Sequence, residues 1–153
     1  MLQGILNHYK VDSYIYENYP SKIILHGGSS DAPNWFSGYD VAEIKKRKSV
    51  SWIGVVRYFY VIENILKAIE GTDIFFYVFG DGPDLDKVKR AVSDLGISKQ
   101  VLFFGRYKAE DLGFIYNVAD IVWAAYPTSD FNAIYAISNK YFECSYFSKR
   151  PVF

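Results

Sequence analysis

The 153 residues contain one cysteine, Cys144, and two histidines, His8 and His26. A single thiol excludes an internal disulfide and a thiol-based metal cage, and it fits a reducing compartment. Excess charge is also missing. Seventeen basic residues balance seventeen acidic ones, so no global field draws in nucleic acid or an anionic membrane. The locally basic run Lys45, Lys46, Arg47 and Lys48 reads as a solvated helix end. No apolar run reaches the roughly 18 residues of a membrane span, and the N-terminus lacks the charged-then-apolar layout of a signal peptide. Repeats and low-complexity tracts are absent too. A soluble, cytoplasmic protein that binds no nucleic acid is the expectation.

What the chain does have is enough apolar content for a real core: 50% of residues, with 19% aromatic. Many aromatics fall inside strand-like runs such as Ile74 to Phe79, where core packing accounts for them. From about residue 51, short β-rich runs alternate with amphipathic helices, the pattern of βαβ units building a parallel sheet. Ser51 to Val56 reads as a strand, followed by a helix with Ile62, Ile65, Leu66 and Ile69 on one face. Ile74 to Phe79 is the next strand. The turn Gly80-Asp81-Gly82-Pro83 places Pro83 at a first helical position, ahead of the stripe Leu85, Val88, Val92 and Leu95. Strands at Val101 to Phe104 and Ile121 to Ala125 flank a short helix marked by Leu112, Ile115 and Ala119. A loop then leads to a helix over Asn139 to Ser148 and a strand start at Arg150 to Phe153. A Rossmann-like α/β domain, a three-layer parallel sheet with helices on both faces, is predicted over residues 22–153.

Earlier in the chain, Lys22 to His26 suggests an opening strand, Gly27 to Ser30 a loop and Asp40 to Lys48 a short helix. Residues 1–21 read as a linker or the edge of a neighbouring domain. A strand start with no covering helix after it suggests truncation at the C-terminus.

Open parallel sheets bind ligands at the carboxyl ends of their strands, so the loops there hold the candidates. Arg57 presents a permanent cation with a donor fork suited to phosphate oxygens, although a surface ion pair would use the same residue. Gly80 and Gly82 allow close approach of a ligand, or simply a tight turn. A dinucleotide fingerprint would need glycine where Leu85 stands. Ser138 reads as a helix N-cap, and the amides beyond it, with Asn139 and the Lys140 ammonium, suit a diphosphate. Glu143, one turn further, suits vicinal ribose hydroxyls, and an exposed i, i+3 pair with Lys140 is the alternative.

Taken together, Ile53 to Arg57, Gly80 to Pro83, Val101 to Arg106, Ala119-Asp120, Asn139 to Glu143 and Lys149 to Val152 form a spaced set over residues 50–153. This set resembles the C-terminal, nucleotide-sugar donor domain of the retaining GT-B glycosyltransferases of the large family four. The resemblance implies a diphosphate contact at Arg57, a nucleobase edge near Arg106 and Tyr107, and a ribose acid at Glu143. It implies transfer of a sugar to an acceptor hydroxyl with retention, in bacterial-type glycan biosynthesis, with no metal or other cofactor. The acceptor would sit on an N-terminal domain outside this chain, so the chain alone would be inactive, and the intact enzyme would be open to peripheral membrane association. Two positions depart from the pattern. Tyr135 stands where the family often has a glutamate near the donor sugar, and Glu63 with Asn64 where a phosphate-binding lysine commonly lies, leaving Lys67 or Lys140 to compensate. A non-catalytic α/β binding module with a decayed donor site is the rival reading. An epimerase or dehydrogenase half is disfavoured by the missing glycine fingerprint.

Overall fold

The computed structural model describes residues 31–127, 129 and 138–153. The expectations for residues 1–21, for the strand at 22–26, for the loop at 27–30 and for Tyr135 lie outside them. Five strands, β1 (Ser49–Ile53), β2 (Phe75–Phe79), β3 (Val101–Gly105), β4 (Ile121–Trp123) and β5 (Arg150–Val152), pair in parallel in the order β3-β2-β1-β4-β5. Around them lie helices α1 (Val41–Lys46), α2 (Phe59–Ile69), α3 (Leu85–Asp94), α4 (Leu112–Val118) and α5 (Asn139–Tyr146). Among the described residues no helix is long and apolar enough to cross a membrane.

The strands are apolar on both faces because each face meets a helical layer. Val50 and Trp52 of β1, Phe76 and Val78 of β2 and Val101 of β3 pack with the α2 stripe Ile62, Ile65, Leu66 and Ile69 and with Val88 and Val92 of α3. The residues of opposite parity, Ile53, Tyr77, Phe79, Phe104 and Val122, pack with Ile44 of α1, with Phe114, Ile115 and Tyr116 of α4 and with Cys144 of α5. Crossovers of one hand place helices on opposite faces when the chain winds outward in opposite directions. That matches β1-β2-β3 carrying α2 and α3 on one face, while α4 and α5 take the other.

Among the described residues the aromatics are mostly core, as expected: Phe36, Phe76, Tyr77, Phe79, Phe114 and Tyr116 are fully buried. Phe79 stacks on Phe104 with ring centroids 4.6 Å apart.

Several element limits differ from the sequence reading. β1 begins at Ser49 and stops before Gly54, whose φ of +136° turns the chain out of the sheet. Pro83 stays in the turn instead of opening α3. The Leu85 amide bonds to the Gly82 carbonyl and the Asp84 amide to the Val56 carbonyl, which delays the helix to Leu85. Asp40 caps α1 through the amides of Ala42 and Glu43. The basic run sits at the end of that helix, with Lys45 bonded to Asn117, Arg47 to Glu43 and Lys48 to Asp73.

Candidate functional site

The chain leaves β1 toward β2 on one side, and β4 lies on the other, so the carboxyl ends of β1 and β4 mark a topological switch point. A cleft of about 330 Å³ opens there. Its walls include Gly54, Arg57 and Tyr58 after β1, Tyr126 after β4, and Ser138, Asn139, Lys140 and Glu143 at the start of α5. Five predicted residues, Arg57, Ser138, Asn139, Lys140 and Glu143, therefore converge.

The segment carrying Arg57 is held from both sides. Val56 is fully buried, its amide bonds to the Asp81 carbonyl at 3.0 Å, and its carbonyl accepts from the Asp84 amide at 3.1 Å. Tyr58 adopts a left-handed conformation with φ of +60°, unfavourable for a residue with a side chain and of a kind that gathers at functional sites. The guanidinium of Arg57 lies over the Tyr58 ring, 4.9 Å from its centroid, and no carboxylate pairs with it among the described residues. An exposed arginine on an anchored loop, with no carboxylate beside it among the described residues, can receive an anion.

Glu143 is the most constrained group in the cleft. It is a buried carboxylate whose Oε2 accepts from the Lys140 ammonium and, at 2.6 Å, from the Tyr116 hydroxyl. The side chains of Lys140 and Glu143 are 12% and 9% exposed, which corrects the alternative of an exposed i, i+3 pair. Burying a carboxylate costs several kcal/mol unless paired, and this charge-assisted pair with the phenol offsets it. Burial foremost, and then the Glu143 charge, push the Tyr116 phenol far above its ordinary pKa, so it remains the proton donor. Tyr116 is held by stacking on Phe147, with centroids 4.7 Å apart. Nothing in its sequence position on α4 signalled this role, because its contact with Glu143 exists only after folding.

The start of α5 is less open than expected. Ser138 Oγ takes the Lys140 amide and the Ser138 carbonyl takes the Tyr141 amide. This leaves the Asn139 amide as the first-turn donor with no bond among the described residues. The Asn139 side-chain oxygen is buried without a partner among them.

Other predicted residues are placed elsewhere. Arg106 and Tyr107 line a separate depression of about 670 Å³ with Trp35, Lys108 and Asp111. Arg106 is tied to Asp81 at 2.9 Å, and that guanidinium holds the Asp81 carboxyl below its usual range. Burial, with help from Glu143 and Tyr126, raises the Tyr107 phenol, so Tyr107 lies within electrostatic reach of the cleft. Gly80 and Gly82 pack against the backbone of Gly54 and Val56, an approach that by itself accounts for both glycines. Glu63 pairs with Lys67 at 3.1 Å along a groove between α2 and α3. Neither lines the cleft, and Lys140, which does, has its ammonium on Glu143.

The amide end of α2 already has its anion. Asp84 accepts from the Phe59 amide at 3.1 Å and from the Lys87 ammonium at 2.7 Å. Lys87 chiefly, with the amide assisting, holds the Asp84 carboxyl below the ordinary 3.8, against the opposing effect of burial. A lowered folded-state pKa means that its stabilisation is present above 3.8 and is lost as pH falls below that value. Asp84→Ala is expected to cost about 1 kcal/mol, as loss of a helix cap does, and to flatten the acid limb below that pH in urea titrations.

No family model matches the chain, and no curated protein matches it. Similar solved structures include Anabaena HepE in complex with UDP-glucose, with a TM-score of 0.65 and 13% identity over 93% of this chain and 38% of that one. The same protein in complex with UDP gives a TM-score of 0.65 and 13% identity over 97% of this chain and 41% of that one. A S. aureus TarM mutant in complex with fondaparinux, alpha-GlcNAc-glycerol and UDP gives 0.52 and 16% over 79% and 22%. The chain spans less than half the length of each. At these identities the likeness is one of fold, and that fold is a Rossmann-like α/β layer structure of the kind that forms one half of a GT-B glycosyltransferase.

Proposed function

We propose that this chain is the nucleotide-sugar-binding half of a retaining GT-B glycosyltransferase, its cleft taking a nucleoside diphosphate sugar at the switch point. The observation that carries the reading is the meeting of Arg57, free of any carboxylate among the described residues, with the α5 start and the buried Glu143 in one cleft. Arg57 and the Asn139 amide receive the diphosphate, and Glu143 the ribose. Fixed cations and amides aimed at a departing diphosphate stabilise the charge that develops as the sugar leaves, and they are already in position before the reaction begins. Solved structures of similar fold that hold UDP or UDP-glucose support the same ligand class. Arg106 and Tyr107, in the separate depression, serve the nucleobase edge in this reading. The acceptor and its domain come from outside the chain, and turnover by the chain alone is not expected. The proposed chemistry calls for no metal.

A panel of nucleoside diphosphates and their sugars tests this by thermal shift. Ligand at a hundred times its Kd stabilises by about 2.7 kcal/mol, worth roughly 5–10 °C for a domain near 150 residues. Absence of any shift would overturn the reading in favour of a binding module with a decayed site. A shift with a nicotinamide dinucleotide alone would favour a dehydrogenase-like half.

A further inference from the structure

We infer that Tyr116 and Lys140 are positioning residues that hold Glu143 with one carboxylate oxygen spent and the other turned to the ligand, making the cleft selective for ribose over 2′-deoxyribose. The inference rests on the nucleotide-sugar reading and deepens it. Both donors converge on Oε2. Oε1 accepts from no donor among the described residues, although Glu143 lines the cleft. A carboxylate anchored through one oxygen cannot swing to follow a ligand, so the other presents its lone pairs in a fixed direction. A hydroxyl that meets it gains a charge-assisted hydrogen bond, and a ligand lacking that hydroxyl leaves the oxygen poorly solvated in a nearly buried site.

The anchor is rigid because each part is fixed by something else. Tyr116 is fully buried in the core face of α4 and stacked on Phe147. Lys140 is nearly buried, with its ammonium 5.8 Å from the centroid of the Tyr116 ring. Neither donor can leave Oε2 without abandoning packing or pairing. Lys140 is thus turned toward the carboxylate, which makes Arg57 the cation left for the phosphates.

The test is calorimetry on the intact chain with the tightest of UDP, ADP, GDP and CDP and with its 2′-deoxy counterpart. The unmodified chain should bind the ribonucleotide about tenfold to a hundredfold more tightly, the worth of one hydrogen bond to a charged group. Tyr116→Phe, which keeps the stacked ring, should bring that ratio down to about twofold or less while 2′-deoxynucleotide affinity changes little. Lys140→Gln, which keeps a donor without the charge, should lower it partway. A purely structural role for Tyr116 would weaken both ligands equally and leave the ratio intact, and that result would overturn the inference. Equal binding of the two ligands by the unmodified chain would overturn it whatever the variants do. Failure of the unmodified chain to bind any of the four diphosphates would remove the nucleotide-sugar reading, and this inference with it. A normal ribonucleotide affinity with no discrimination would remove this inference alone.

Discussion

Arg57→Ala is expected to weaken nucleoside diphosphate binding by about thirtyfold to a hundredfold, while the unfolding midpoint of the free chain barely moves. The size follows from the worth of charge-assisted hydrogen bonds between a guanidinium and phosphate oxygens, about 1.5–3 kcal/mol. The selectivity of the effect follows from the surroundings of Arg57. It has no carboxylate partner among the described residues, and the loop is held by Val56 and the Asp81 and Asp84 backbone, not by the guanidinium. Arg57→Lys should restore only part of the affinity, since an ammonium cannot present the planar donor fork. Calorimetry with UDP or another nucleoside diphosphate, alongside thermal unfolding without ligand, separates the two effects. Equal affinity in Arg57→Ala and the unmodified chain would remove Arg57 from the diphosphate site.

The largest effect on stability is expected from Gly80→Ala. A Cβ there would lie 1.9 Å from the carbonyl oxygen of Gly54 and 2.9 Å from its carbon, and residue 80 has φ of +140°. Neither obstacle is a side chain that can rotate away. Relief requires separating the end of β1 from the turn after β2, where the Gly54 amide bonds to the Phe79 carbonyl and the Gly80 amide to that of Gly105. A loss of about 3–5 kcal/mol is expected, at the upper end of single substitutions, with a midpoint lower by roughly 10 °C or more for a domain of this size. Gly38 is the internal control. A Cβ at Gly38 meets nothing within 4 Å, so Gly38→Ala should stay within about 1 kcal/mol of the parent. A Gly80→Ala variant as stable as Gly38→Ala would show that the contact between these backbones is easily relaxed.

The same glycines show where reading the chain as a string reaches its limit. Gly80-Asp81-Gly82-Pro83 looks equally like a ligand loop and a tight turn, because glycine has the same signature whether a phosphate or another peptide approaches it. The fold places the backbone of residues 54 and 56 against both glycines. Lys140 and Glu143 posed a similar ambiguity, since residues three apart on a helix meet whether the helix lies on the surface or in a crevice. Their near-complete burial comes from Tyr116 and from the packing of α5 on the sheet. In contrast, Ser138 was legible as an N-cap, and its hydroxyl does accept from the Lys140 amide, because capping involves only neighbours in sequence.

The alternation of strands and helices from about residue 51, the apolar stripes of α2 and α3, and the place of most aromatics in the core are all legible along the chain. Period-two and period-3.6 patterns record burial locally, one element at a time. Folding alone sets β1 between β2 and β4, brings Arg57 and Glu143 but not Glu63 or Lys67 to the cleft there, and lets Tyr116 secure the carboxylate. These depend on crossover direction and on packing between elements distant along the chain, which a local pattern of burial does not encode.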